Sequence, residues 1–566
     1  MTMCFKQKKT CFYLLLNINN MNRLFFSLFF LSVVHQITAQ DFFQKERKIW
    51  ATKAEAFKPK LVETIKKPLR AVTMVKDDKA FQGWKIDKTS AIDTVFSKSF
   101  KKQSGVILDF GEHLTGYFSF KVAEIRGVAD APLRFKLTFG EVPAEVNTPF
   151  DPYNQGMSRA WLQDEIMTVT ELPAVVTIPR RLSFRYVKIE LLGSSAYFDF
   201  KIGDAYCKAT TAVATKLPNL SPKTPEIVSK IDKIAANTLK ECMQTVFEDG
   251  PKRDHRLWIG DLYLQSMANN YSFKNYNLTK RCLYLLASLC TEGGYLPSNV
   301  FENPKPHNQK GAPFLFEYSL LYNPLLLDYL KATNDKATVE ELWVVAKKQL
   351  DNPKKFLLEN GLFDNTAAAK SGWWIFVDWK EDLDKQAALQ GIIIMSLRKT
   401  LELAKLLGKE KEVSELPNLI EKMSQGAKTQ LFDVQKGVFV SGNDKQISYA
   451  SQAWMVLANV VDKETGKKAL INALKQENVV KPGGPYLMHY YIEAMIQVGM
   501  QDEAKNELVR YWGNMVEKGA DTFWEVFDPK NDFISPYGFY PMNSYCHAWS
   551  CTPLYFIRKY PEIFQK

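Results

Sequence analysis

Residues 247–273 read FEDGPKRDHRLWIGDLYLQSMANNYSF, and the stretch falls into two halves. Gly250-Pro251 cannot sit inside a helix, so 247–261 is a loop between helical runs. The half that follows, LYLQSMANNYSF, has helical periodicity with apolar residues on more than one side. A helix buried on two faces needs neighbours in front and behind, which argues for layered helices and against a single shell. The loop ahead of it crowds Glu248, Asp249, Arg253, Asp254 and Asp261 around His255, Arg256 and Trp258. Carboxylates accept from vicinal hydroxyls, an arginine donates in a fork, and an indole offers a flat apolar face, so the loop suits a polyhydroxylated ligand. A solvated turn whose aspartates cap helices and pair with arginines has the same composition, and the loop alone does not separate the two.

Working outward, the two-sided pattern recurs in QAALQGIIIMSL, 386–397. Beyond about Pro222 there are twelve apolar-periodic segments, roughly 224–244, 261–273, 277–291, 313–333, 337–359, 383–407, 410–431, 446–461, 464–475, 485–499, 501–518 and 542–559, with Gly, Pro, Asp or Asn at the joints. Twelve such helices joined by alternating short and long connections fit an (α/α)6 barrel over 213–566. Its inner helices line a funnel, and its long loops gather at the wide end. An irregular α-solenoid is the competing arrangement; no regular repeat is present, which counts against a TPR or HEAT array. Upstream the period changes. Val106–Gly111, Gly116–Val122, Leu133–Phe139 and Tyr186–Leu191 alternate apolar with polar residues between turn signals, predicting an antiparallel β-sandwich over 71–212. Residues 41–70 are charged and partly helical in pattern, a lead-in. The expected architecture is an N-terminal antiparallel β-sandwich followed by an (α/α)6 barrel.

Residues 21–40, MNRLFFSLFFLSVVHQITAQ, have the form of an export signal: Arg23, an apolar core over Leu24–Val34, and a small-residue exit near Ala39. The core is too short to span a bilayer, so no membrane span is expected in the mature chain. Met21 is the expected start, and the protein is expected to be periplasmic or extracellular. The formal charge is +12, and residues 1–40 carry four of the cations and no acid, leaving about +8. These positives are scattered, which argues against a nucleic-acid surface. Six cysteines follow the expected cut, without metal-type spacing, and none of the six histidines in the chain is paired at ligand spacing, so neither a zinc site nor any other cofactor is expected. No phosphate loop or dinucleotide fingerprint is present.

Four further loops at expected inner-helix starts repeat the pattern of an acid or His beside Trp or Tyr. Glu317 lies in PFLFEY; Trp373, Trp374, Asp378 and Trp379 in GWWIFVDWKED; Trp524 and Glu525 in DTFWEVFD; and Tyr545, His547 and Trp549 in NSYCHAW. Each alone is more often core or cap than site. Their recurrence suggests one funnel mouth that collects them all.

EDGPKRDHRLWIGD resembles the Asp-x-Pro-x-Arg-Asp-Glu-x-x-x-Trp-x-Gly-Asp signature of glycoside hydrolase family 78, the α-L-rhamnosidases. TFWE, VDW at 377–379 and SYCHAWSCTPLYF resemble later segments of that family. LDFGEHLTGYFSF, LTFGEV and RRLSFRYVKIE resemble its preceding β domain. The resemblance covers roughly 100–560 and implies an (α/α)6 barrel, a carbohydrate substrate and inverting hydrolysis without a cofactor. It places Asp249, Arg253, Asp254, Asp261 and His547 at sugar-binding positions, Trp258 facing the ring, Trp379 and Trp524 as further aromatic contacts, and Glu525 as general base. At the family's general-acid position this chain has His255, and it ends soon after the barrel.

An inverting glycosidase needs a carboxylic acid for the leaving oxygen and a carboxylate for the water. Three readings follow: Asp254, or another acid such as Glu317, donates the proton; His255 donates it; or the site binds sugar without cleaving it. The first is preferred, because a mere binder has no use for a positioned base. The expected activity is exo-acting hydrolysis of a plant-type glycan, with a non-catalytic sugar-binding protein as the alternative. A polysaccharide lyase using Tyr545 or His547 is a third possibility.

Overall fold

The computed structural model describes residues 41–103, 105–309 and 314–566. The expected export signal at 1–40 lies outside the described residues. The chain begins with helix α1 (Gln44–Ala56), whose Trp50 and Ala54 are fully buried against the helical half of the molecule. The segment read as a lead-in is thus built into its neighbours at both ends: strand β1 (Val62–Lys66), which follows α1, pairs with the last strand of the sheet.

Eight more strands complete one antiparallel sheet: β2 (Arg70–Lys76), β3 (Trp84–Ser90), β4 (Val106–Arg126), β5 (Leu133–Gly140), β6 (Asp164–Val169), β7 (Ala174–Thr177), β8 (Leu182–Gly193) and β9 (Asp199–Thr211). The 21-residue β4 is its spine. Its first half pairs with β2 and β8, its second half with β7 and β9. The change comes at a bulge, where Asp109 faces Tyr186 but Leu114 faces Phe184. Gly111 sits in the bulge with φ of 77°, and a Cβ there would lie 2.9 Å from the Leu69 side chain. A strand that trades partners across a bend lets one sheet supply both layers around a core. That core is phenylalanine: Phe110, Phe118, Phe120, Phe135, Phe139, Phe184 and Phe200, packed largely edge to face.

The helical half follows as six hairpins: α2 (Glu226–Cys242) and α3 (Ile259–Asn270); α4 (Tyr276–Ser288) and α5 (Phe316–Thr333); α6 (Lys336–Gln349) and α7 (Gln386–Leu407); α8 (Leu416–Gln430) and α9 (Tyr449–Leu457); α10 (Lys463–Leu474) and α11 (Pro485–Gln497); α12 (Gln501–Glu517) and α13 (Pro553–Lys559). The odd-numbered helices form the inner ring. α3 packs on α5, α5 on α7, α7 on α9 and α9 on α11, and the ring closes through Ala548–Lys559 against α11 and α3. This is why α3 and α7 are apolar on two sides: one face meets ring neighbours, the other the outer layer. Deleting a ring aromatic as buried as Trp454 is expected to cost about 3–5 kcal/mol.

The last segment departs from its expected helix over 542–559. Only α13 and a 3-10 turn at Ala548–Cys551 are helical. Residues 544–548 instead bond sideways, to Phe523, Glu525 and Asp249, and Pro553 has no N–H for a longer helix. The loops that precede the inner helices gather at one end of the ring. At the other end, residues such as Met267, Asp328, Met395, Leu457, Glu493 and Lys559 surround a cavity of about 480 Å³. No helix among the described residues is long and apolar enough to cross a membrane. All six described cysteines are buried free thiols.

Candidate active site

Loop 247–261 is folded around Asp249. Its carboxylate accepts from the backbone N–H of Asp254 (3.1 and 3.2 Å) and of Arg256 (3.1 Å), and its own N–H donates to the Arg256 carbonyl at 2.9 Å. Burial, and then the neighbouring Asp254, push its pKa up to about 8. Glu248 next door is gripped through both oxygens by Arg181 of the sheet, at 2.7 and 2.8 Å. The loop then enters α3 through Trp258, Gly260 and Asp261. Gly260 is required there, because a Cβ would lie 2.2 Å from the Tyr318 ring.

Two segments from the far end of the sequence dock on this loop. The Glu525 N–H donates to the Ser544 carbonyl (2.9 Å), the His547 N–H to Phe523 (2.8 Å) and the Ala548 N–H to Asp249 (2.7 Å). Glu525 is thereby held beside the loop. One of its oxygens takes Arg253 Nη2 and the Ser544 N–H, and the other takes the Tyr537 hydroxyl. Burial alone would raise its pKa; Arg253, His547, Tyr537 and the Ser544 N–H more than offset that and hold it below the usual glutamate value. The other guanidinium nitrogen of Arg253 lies 3.4 Å from Asp254, which also pairs with Arg256 at 3.2 Å. One guanidinium therefore stands between the two carboxylates, its flat face 4.1 Å from the centre of the Tyr537 ring.

Aromatic rings wall this cluster. Trp258 meets Tyr318 edge-on, Phe376 stacks on Trp549 at 5.9 Å, Trp379 touches Tyr537 and Phe376, and His547 lies 4.2 Å from Trp549. Among the described residues, Asp261 Oδ1 and His547 Nδ1, which lie 3.7 Å from each other, and Trp379 Nε1 are buried without a hydrogen-bond partner. Such atoms are costly unless something bonds to them, and sugar hydroxyls, which donate and accept, suit all three. Burial, and then Asp249, push Asp261 well above the carboxylate range, while burial drops His547 to about 4, which leaves that imidazole neutral near pH 7. Asp378 accepts from the N–H groups of Gly483 and Trp379 and is raised to about 7 by burial. A cavity of about 1190 Å³ adjoins the Trp379 wall, bordered by Trp374, Lys481 and Val526.

The structure thus brings together Asp249, Arg253, Asp254, Asp261, Glu525 and His547, with Trp258 and Trp379 on the walls. Three expected residues lie elsewhere. His255 has φ of 62° and turns its ring edge-on to Trp161 of the β half; burial and then Arg181 depress its pKa to about 3, so it is neutral and has no proton to give as an acid. Trp524 does not line the pocket: it stacks on Phe81 of the sheet half at 4.2 Å, edge-on to Tyr545. Glu317 is fully buried behind the wall residue Phe376, whose N–H it accepts at 3.0 Å, and is raised by burial to about 8. Sequence reasoning missed Tyr537, whose surroundings, SPYGFYP, read as an ordinary turn. Among the described residues, no three His, Cys, Asp or Glu side chains converge closely enough to hold a metal ion.

The sequence profile of the glycosyl hydrolase family 78 α-rhamnosidase N-terminal domain matches residues 68–209, and that of the bacterial α-L-rhamnosidase six-hairpin glycosidase domain matches 224–560. Among solved structures, a rhamnosidase from Klebsiella oxytoca with rhamnose bound is 38% identical, with a TM-score of 0.87 over 91% of this chain and 99% of its own. A family 78 rhamnosidase of Bacillus sp. GL1 shares the fold at 20% identity and a TM-score of 0.67, over 80% of this chain and 46% of its own. An α-L-rhamnosidase of Streptomyces avermitilis complexed with L-rhamnose does so at 16% and 0.63, over 88% and 44%. A search of the curated proteins returned no match. The two domain matches, which run across both halves of the fold, and the high likeness over nearly all of the chain agree: this protein belongs to glycosyl hydrolase family 78, the α-rhamnosidases.

Proposed function

We propose that the protein is an exported, inverting, exo-acting α-L-rhamnosidase of plant-type glycans, with Glu525 as general base and Asp254 as general acid. One observation carries the reading: the Arg253 guanidinium separates Asp254 from Glu525 beside an aromatic-walled cluster of unpartnered polar atoms. Inversion requires two carboxyl groups about 6.5–9.5 Å apart, with room between them for water and the sugar. The Arg253 guanidinium bonds to both carboxylates and so fixes them to one support. Water attacks the anomeric carbon as Glu525 takes its proton. The bond to the leaving oxygen breaks as Asp254, in its role of general acid, gives that oxygen a proton, and the freed sugar has the opposite anomeric configuration. Glu525 is suited to the base role because its pKa is held low and it is ionised near neutral pH. Rhamnose is the sugar favoured by the similar structures, two of which carry it. Export rests on the 21–40 sequence pattern alone.

The test is hydrolysis of nitrophenyl α-L-rhamnoside followed by proton NMR. Wild type should release first the anomer inverted relative to the substrate. Glu525→Gln should lose about a hundredfold or more in kcat on this substrate, and Asp254→Asn a comparable amount on an alkyl rhamnoside, whose leaving oxygen needs the proton. Release of the retained anomer, or a Glu525→Gln variant as fast as wild type, overturns the assignment.

A further inference from the structure

Behind the catalytic loop lies a cluster of charges that plays no part in the reaction as drawn. Glu141, at the end of β5, is 2% exposed and has both oxygens fully engaged. Oε1 accepts from His113 Nε2 at 3.0 Å and from the Ser183 hydroxyl at 2.9 Å. Oε2 accepts from the Tyr545 backbone N–H at 2.6 Å and lies 3.1 Å from Lys252 Nζ. Glu145, 1% exposed, takes the same ammonium at 2.6 Å. Lys252 directly precedes Arg253, and Tyr545 directly follows Ser544. Arg253 and the Ser544 N–H are two of the groups that hold Glu525, and the Ser544 hydroxyl donates to the Arg253 carbonyl at 2.9 Å. The Lys252 ammonium also reaches the Pro541 carbonyl, and Arg253 Nε the Met542 carbonyl. A single carboxylate of the β half is therefore bonded to both chain segments that converge on the base, each one residue away from the contact that matters.

We propose that Glu141 is a positioning residue for catalysis: through Lys252 and the Tyr545 N–H it clamps loop 249–256 and segment 543–547 in register, so that Arg253 and Ser544 meet Glu525. The β half is on this account part of the active site and not an accessory to it. The sheet's contribution is chemically apt. A buried carboxylate among four donors is fully satisfied, and a buried ammonium between two carboxylates is likewise satisfied, so the clamp is rigid. Burial opposes the charge on Glu141, but Lys252 and His113 outweigh it and hold the group ionised, near a pKa of 2. The inference rests on Glu525 being the base.

The experiment uses the full chain with Glu141→Gln, which keeps the size of the side chain and removes the charge. Expected is a fall in kcat of at least about tenfold with KM changed less than about threefold. The acidic limb of the kcat/KM–pH profile should also move to higher pH, since a displaced Arg253 no longer depresses Glu525. The charged and titratable groups facing Glu525 are Arg253, Tyr537, His547 and Asp261; Arg253 and His547 lie in the two clamped segments. A merely destabilising substitution lowers kcat by reducing the folded fraction and leaves the limb where it was. In parallel, amide hydrogen exchange should quicken in 249–256 and 543–547 together while the inner helices keep their protection. Should Glu141→Gln fail to fold, Lys252→Met removes the other half of the clamp and carries the same expectations. An active wild type whose clamp variant keeps its kcat, pH limb and exchange overturns the clamp and leaves the base intact. A wild type inert on rhamnosides overturns the functional reading, and the exchange result alone then decides the clamp.

Discussion

Arg253 is the group whose removal tests the site geometry most directly. It is 5% exposed and Glu525 is 2% exposed, so water screens their interaction little. At an effective dielectric near 20, a charge pair about 4 Å apart is worth about 4 kcal/mol. That interaction is the largest of those that hold the Glu525 carboxyl below the usual glutamate value. Arg253→Met keeps the apolar stem and deletes the charge. The Tyr537 hydroxyl and the Ser544 N–H still stabilise the carboxylate, so part of the depression should survive. Glu525 must be ionised to take a proton from water, so the acidic limb of kcat/KM should climb to higher pH. The assay is kcat/KM on nitrophenyl α-L-rhamnoside from about pH 3 to 9, with thermal unfolding as the control for folding. A folded variant whose acidic limb stays within about half a unit of wild type refutes the argument that Arg253 sets the state of the base.

Two other outcomes follow from the same contacts. His255→Ala should keep kcat within a few-fold of wild type, because the ring is neutral and faces Trp161; a loss of about a hundredfold would make His255 the acid instead. Stability should fall on going from pH 6.5 to pH 8, above the range in which His255 and His547, neutral when folded, pull the other way. Asp249 and Glu317 (about 8) and Asp378 (about 7) have folded pKa values above their unfolded ones, near 4. The folded state therefore binds extra protons across that window, and each group lowers stability by up to about 1.4 kcal/mol per pH unit as pH rises through it. A Tm that climbs steadily across that window would contradict those three shifts.

Much of the fold was legible because helical periodicity is a local signal. Eleven of the expected helical segments correspond to α2–α12, and the twelfth fails where Asn543–His547 spends its backbone hydrogen bonds on other chains of the loop cluster. The site was legible for a different reason: carboxylates beside indoles, repeated ahead of successive inner helices, leave a compositional trace. Trp524 shows the limit of that trace. In sequence it is indistinguishable from Trp379, yet Phe81, more than four hundred positions away, turns it into part of an interface. Glu141 and Trp161 were missed on the same ground, since nothing within ten residues of either announces that its partner is the loop at 249–256. Glu141 does carry one signal in retrospect, a charge placed directly after the alternating strand Leu133–Gly140, whose last four residues are buried.

The placement of α1 bears on how the chain comes into being. Arg47 binds the carbonyl of Cys290, 243 positions further on, and Trp50 fills a seat made largely by later helices. Synthesis delivers this helix first and its berth hundreds of residues afterwards, so the amino-terminal segment has to wait, unassembled, until α4 has emerged. A chain threaded unfolded through a translocation channel meets the same delay on the far side. Any fusion that immobilises residues 44–56 during that interval interferes with the docking of α1 on the outer helix α4, well away from where the fusion was made.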